Sequence, residues 1–201
     1  MTDDAPGSRR RFLTTSFASL GLSAIAAPAL AAPADGAILA AAKAGLARAG
    51  GRIARRDVVG VADFSQPSRT PRFHLVDLAG GKVESVLVAH GRGSDPDRSG
   101  WLHRFSNAPG SAATSEGCYL TGDYYAGQHG HSMRLHGLEP SNDNAYARAV
   151  VVHAAWYVSP EIARGGGVLG RSEGCFALSQ LNLGQVLARL GPGHLIVAGK
   201  L

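Results

Sequence analysis

The chain lacks most of the features that announce a function. Two cysteines in 201 residues exclude a framework of several disulfides. There is no C-x2-C and no H-E-x-x-H, so the eight histidines lack the spacings that carry most zinc sites. Charged residues make up 17% of the chain, and no dense Lys/Arg block accompanies the net charge of +5. A nucleic-acid binder clusters its basic residues more than this, so no nucleic acid is expected as partner. No repeat period exists beyond one duplicated four-residue word. What remains is a mildly basic chain, compatible with an anionic envelope polymer, although charge alone does not choose a partner.

The first 31 residues read as an export signal. "SRRRFLT" (Ser8–Thr14) pairs arginines ahead of Phe12 and Leu13, the mildly apolar "SFASLGLSAIAAPALA" follows, and Ala29-Leu30-Ala31 is a small-x-small cleavage site. The twin arginine points to the Tat route and to the periplasm. A membrane anchor is the rival reading, but the run is shorter than the ~20 residues of a spanning helix and carries Ser, Gly and Pro. After cleavage no membrane contact is expected. About 170 residues then remain, enough for one domain with its own core. The expected division is a signal over 1–31, a helix and linker over 32–57, and the main domain over 58–201.

"GAILAAAKAGLARAGG" (Gly36–Gly51) is alanine-rich, with Leu39, Ala42 and Leu46 at helical spacing and a Gly-Gly stop. Beyond it, "VVGVADF", "RFHLVDL", "KVESVLVAH", "CYLTG", "SMRLHGL", "AVVVHAAWYV" and "HLIVAG" are short β-rich runs separated by turn residues. Ala79-Gly80-Gly81 marks a hairpin, and the glycine-rich stretch 91–117 reads as loop. One late helix fits "LSQLNLGQVLARL", ended by Gly191-Pro192. This pattern predicts a mostly-β domain, sandwich or barrel-like, with an N-terminal helix and one late helix.

The duplicated word is "SEGC", at Ser115–Cys118 and Ser172–Cys175, and it holds both cysteines. The pair can form a disulfide, bind a metal, or comprise one reactive thiol and one bystander. His153 follows a run of strand-forming residues and precedes the second SEGC by some twenty positions. A histidine there can orient a thiol and raise its thiolate fraction. Gly174 permits close backbone approach, and the amides of Gly174 and Cys175 can line an oxyanion hole.

The blocks "HGRGS", "PGSAATSEGCYLTGDYYAGQHGHSMRLHGLE", "NDNAYARAVVVHAAWYV" and "GRSEGCFAL" occur in that order between His90 and Leu178. Together they resemble the L,D-transpeptidase (YkuD-type) catalytic family, in its murein L,D-transpeptidase branch. The family pattern, a His and then S/T-x-G-C, maps onto His153, Ser172, Gly174 and Cys175. The resemblance implies a mostly-β catalytic domain, no cofactor, and a cysteine acyl-enzyme formed with the stem peptides of peptidoglycan. It makes Cys175 the nucleophile and His153 its base, and leaves Cys118 as a small, semi-buried hydrophobe. The family often has Gly after that His and Pro after that Cys. Here Ala154 and Phe176 stand there, and Phe176 is expected to reshape the acyl site.

Supporting roles fall to Ser172 and Arg171 beside the nucleophile. Arg134 and Arg171 can take a substrate carboxylate, for which a guanidinium has the matching fork geometry. His129 and His131 are placed in a mobile substrate-side loop, "AGQHGHS", with His131 as a substrate contact. No metal is assigned. The other functional class left open is a peptidoglycan-binding envelope module that kept the fold and lost the chemistry.

Overall fold

Each β-rich run is cut short by glycine, proline or a turn, and among the described residues nine such strands pair into one sheet. The computed structural model describes residues 33–201, and the export-signal segment, 1–31, lies outside the described residues. The strands are β1 (Val58–Asp63), β2 (Phe73–Asp77), β3 (Val83–Val86), β4 (Val88–Ala89), β5 (Gly117–Gly127), β6 (Gly130–Gly137), β7 (Val151–Ala154), β8 (Phe176–Leu178) and β9 (Leu195–Gly199). Their order across the sheet is β3-β2-β1-β9-β5-β6-β7-β8-β4. The two outermost strands, β3 and β4, are consecutive in the chain with Leu87 alone between them. The sheet therefore curls until both of its ends lie on one continuous segment, which is the barrel-like form expected from the sequence.

Alternation along the strands sorts side chains between an interior and an outer face. Phe73, Leu75, Tyr119, Met133, Leu135, Val152, Phe176, Leu178 and Ile196 meet in the interior. The inner side of helix α3 (Gln180–Arg189) closes it with Leu183, Val186 and Leu187. The Ser179 side chain caps α3 by accepting from Asn182 N–H. On the outer face, Val59, Val61, Cys118, Leu195 and Val197 pack under helix α1 (Pro33–Ala49), which contributes Ile38, Ala42 and Leu46. Within the described residues, α1 is part of the sheet's packing.

The structure departs from the sequence reading at four places. "KVESVLVAH" is not one strand but β3 and β4 at opposite ends of the sheet. "AGQHGHS" is not a mobile loop. The β5–β6 ladder runs through it to Gly127↔Gly130, leaving a two-residue tip, Gln128-His129. A short helix, α2 (Pro160–Arg164), was not foreseen, although Ser159 caps it and Pro160 begins it. Cys118 is fully rather than partly buried, with Arg48 Nη2 donating to its Sγ at 3.4 Å.

Phe176 is a further correction. Its ring points inward, into the core, and meets Tyr119 edge-on at 5.4 Å and Phe64 and Phe73 at 6.3 and 6.5 Å. Phe176→Ala is therefore expected to lower unfolding free energy by about 3–5 kcal/mol in urea titration, as a buried aromatic truncation does. A loss under about 1 kcal/mol would contradict this packing.

Candidate active site

The parallel pairing of β7 with β8 sets Val152 opposite Phe176 and His153 opposite Ala177. Val152 and Phe176 face the interior, so by alternation Val151, His153, Cys175 and Ala177 face the other way. On the far side of β7, β6 pairs Ser132 with His153 and Arg134 with Val151, which brings Arg134 to the same face. A cavity of about 560 Å³ opens there, lined by His153, Cys175, Ser172, Arg171, Arg134 and Arg148 among others.

The loop that carries Cys175 is held by a built frame. Ser172 forms a bridge with Gly91, its N–H donates to His90 O at 2.9 Å, and its carbonyl accepts from Arg92 N–H at 2.7 Å. His90 belongs to a buried polar chain. Arg72 Nη2 donates to His90 Nδ1 at 2.7 Å, and His90 Nε2 lies 3.3 Å from Asp95 Oδ2. Burial and then the neighbouring Arg72 pull the His90 imidazole down to about 4, so the ring is neutral and donates to Asp95. Burial would raise Asp95, but the N–H groups of Gly100 and Ser99 and the Ser99 hydroxyl hold it below the usual carboxylate range.

Both SEGC words take the same backbone turn: Gly117 has φ of 119° and Gly174 of 114°. These are values that residues with a side chain rarely adopt. A Cβ on Gly174 would also lie 2.7 Å from Ala113 O. The shared turn leads to opposite fates. Cys118 enters β5 facing α1, where burial pushes its thiol up to about 11. Cys175 is half-buried in the cavity, and both cysteines are free. The disulfide alternative is thereby removed.

The His153 ring is almost fully buried, and its Nδ1 lies 2.9 Å from Ala154 O. A carbonyl only accepts, so Nδ1 carries the proton and Nε2 keeps its lone pair for another group. Burial, opposed by the Ala154 carbonyl and reinforced by His129, lowers the His153 pKa. The His129 ring stacks on it, 4.2 Å between centroids and 21° apart in plane, from the tip of the β5–β6 hairpin. Burial raises the Cys175 thiol, Glu173 adds to this, and the Val151 N–H and Arg148 pull it back. At neutral pH the pair therefore rests as thiol and neutral imidazole. The Cys175 Sγ–H points to Ala149 O at 3.7 Å, and Ala149 itself holds φ of 53°.

The other expected residues divide. Ser172 Oγ accepts from Gly174 N–H at 3.1 Å and donates to Cys175 O at 2.7 Å, so it shapes the loop. Gly174 N–H is thus engaged and is not a free oxyanion donor, contrary to expectation. Arg171 lines the cavity but donates to Asp95 O and Pro96 O. Arg134 lies over the Tyr125 and Tyr146 rings, at 4.4 and 5.6 Å, with no carboxylate in ion-pair range among the described residues. His131 does not reach the cavity. One residue from Ser132 on β6, it faces the other way and packs against Tyr124 at 5.3 Å.

Arg148 and Tyr157 are among the lining residues that escaped the sequence reading. Arg148 donates to Ser106 O, Ser115 Oγ and Ala113 O, so it ties the first SEGC word to the cavity holding the second. Tyr157 has its phenol pushed up to about 12 by burial, and it stays a donor at neutral pH. Nothing in "AYARAV" or "AAWYV" marks them. Half-buried Tyr125 lines the cavity, whereas the exposed Trp101 and Trp156 line neither it nor the core. Among the described residues no three His, Cys, Asp or Glu side chains converge as a metal site would require, and no helix is long and apolar enough to cross a membrane.

The model of one protein family, described as the L,D-transpeptidase catalytic domain (YkuD_2), matches residues 34–198. This chain belongs to that family. Its matched span takes in α1 as well as the sheet and both SEGC words. Solved structures similar to it include an L,D-transpeptidase from Mycobacterium smegmatis (18% identity over 71% of this chain and 58% of that one, TM-score 0.43). Another is L,D-transpeptidase 3 from Mycobacterium tuberculosis in complex with a faropenem-derived adduct (16% identity over 72% and 60%, TM-score 0.47). The chain thus spans less than two thirds of the length of either. A comparison with curated proteins finds no match.

For this L,D-transpeptidase domain, the geometry makes thiol reactivity selective. A thiol reagent on the native protein should modify Cys175 alone, with Cys118 reacting only after denaturation. The Cys175 rate should rise with pH through a midpoint above that of an ordinary cysteine, because the folded thiol is raised. Arg148→Gln removes a charge that favours thiolate and should move that midpoint higher still. Equal native reactivity of both thiols, or a midpoint below the ordinary one, would contradict this arrangement.

Proposed function

We propose that this chain is a cysteine-dependent L,D-transpeptidase that acts on peptidoglycan stem peptides in the periplasm, after export by the Tat route. One observation carries the reading: Cys175, immediately before β8, and the lone-pair-bearing imidazole of His153, on the parallel neighbour β7, line one cavity. His153 Nε2 accepts the thiol proton as sulfur attacks the carbonyl of the L-centred residue preceding a terminal D-residue. The oxyanion forms beside Cys175 N–H, within reach of the positive potential of Arg148. The C–N bond breaks, the proton passes from His153 to the departing amine, and a thioester remains. An amine from a second stem then yields transpeptidation, and water yields L,D-carboxypeptidation. Arg134, held against two tyrosine rings with no carboxylate of its own, is the residue best placed for a substrate carboxylate.

The alternative of a binding module without chemistry rested on Ala154 and Phe176. Phe176 turns into the core, and position 154 contributes a backbone carbonyl that any residue supplies. Neither takes a group away from the cavity, so the enzymatic reading is the better supported.

Mass spectrometry of a stem tetrapeptide incubated with the protein tests it. Loss of the terminal D-residue is expected, as hydrolysed product without an amine and as adduct with one. A carbapenem should add its mass to the wild type and not to Cys175→Ala. His153→Ala should slow acylation about 10²–10⁴-fold. No product and no adduct would end the reading, and an adduct that survives in Cys175→Ala would mean the wrong cysteine was assigned.

A further inference from the structure

Glu173 sits between Ser172 and the Gly174-Cys175 turn, and it is out of place on electrostatic grounds. A carboxylate two residues from the nucleophile disfavours the thiolate, and its charge does oppose Cys175 ionisation. It is the one carboxylate lining the Cys175 cavity, among Arg134, Arg148 and Arg171. With Arg148 it also forms the wall shared with a second concavity of about 420 Å³, lined further by Arg92, Pro109, Ala112 and Ala147. Its Oε1 pairs with Arg92 Nη2 at 3.0 Å, and both side chains are largely exposed. An exposed pair contributes little to stability, so it can be exchanged for outside partners at small cost.

We propose that the Glu173–Arg92 pair docks the acyl acceptor, Glu173 taking its ammonium and Arg92 the carboxylate borne on the same carbon. This rests on the thioester reading above and deepens it, because it selects the class of amine and favours transfer over water. The acceptor enters through the second concavity, and its nitrogen reaches the thioester from the Glu173 side while the donor occupies the His153 side. The nitrogen lone pair attacks the thioester carbonyl, the C–N bond forms and the C–S bond breaks. Of the ammonium's three protons one stays on the new amide, one ends on Sγ, and one leaves through His153 Nε2 to solvent. Glu173 is a positioning residue here, since it meets the charged form of the acceptor before reaction.

The full chain, given a stem tetrapeptide as donor, is tested with three nucleophiles: glycine, methylamine and hydroxylamine, the last uncharged at neutral pH. Wild type should transfer to glycine better than to methylamine. Glu173→Gln should lower the transfer-to-hydrolysis ratio for glycine by about tenfold, the scale of a lost hydrogen bond to a charged group, with a raised KM for glycine. Its ratio for hydroxylamine should stay within about twofold, and its acylation should set in at lower pH. Arg92→Gln should lower glycine transfer more than methylamine transfer, and Glu173→Asp should restore most of the glycine ratio. The inference is overturned if Glu173→Gln leaves the glycine ratio unchanged or lowers the hydroxylamine ratio equally. It is also overturned if an acylated wild type passes its thioester to water alone. A wild type that is never acylated overturns the thioester reading itself, and this inference with it.

Discussion

The site depends on a short parallel ladder. Two strands of four and three residues, β7 and β8, are enough to put an imidazole and a thiol on one face. Side-chain direction alternates along a strand, so slipping β8 by one residue would send Cys175 into the core and bring Phe176 into the cavity. The register is secured from the inside, by the packing of Phe176 against Tyr119, Phe73 and Phe64. The aromatic interior and the position of the Cys175 thiol are therefore two faces of one constraint.

Behind the Cys175 loop lies a polar layer that an apolar core would not provide. The Arg72 guanidinium is fully buried and donates to Val88 O, Gln66 O and His90. Burial brings its pKa down to about 9, which still leaves it charged at neutral pH. A buried cation with satisfied donors is costly to disturb, because each orphaned partner would keep its desolvation penalty. Through His90 O this layer fixes Ser172, and through Ser172 Oγ it fixes the Gly174-Cys175 turn. The rigidity around the sulfur thus comes from hydrogen bonds, whereas the register of the strands comes from hydrophobic packing.

Much of this was legible in the chain. β-branched runs bounded by glycine marked most strands, and an alanine-rich run marked α1. A histidine on a strand, some twenty residues before a glycine-cysteine turn, marked two residues that line one cavity. What escaped depends on distant parts of the chain. The glycines of "AGQHGHS" look like loop, yet Gly127 and Gly130 close a ladder, and a bulge between Thr121 and Tyr124 resets its register. That ladder decides which of His131 and Arg134 faces the cavity, and no local pattern encodes it. Arg148 matters because Ala113 and Ser106, more than thirty residues earlier, pass beside it. α2 was a missed signal of a simpler kind, since a Ser-Pro-Glu start is readable without any tertiary context.

Strand β9 lies between β1, to which it is parallel, and β5, to which it is antiparallel. The middle of the sheet is thus completed by residues 195–199, made more than 130 positions after β1. Until those residues are available, β1 and β5 have no partner between them, and α1 lacks Leu195 and Val197 from its seat. During synthesis the fold cannot close progressively from its N-terminal end. Its central hydrogen bonds form together, late, and across long loops, which is the arrangement that makes folding slow. The sheet that carries the Cys175 loop is therefore complete only once residues 195–199 are available.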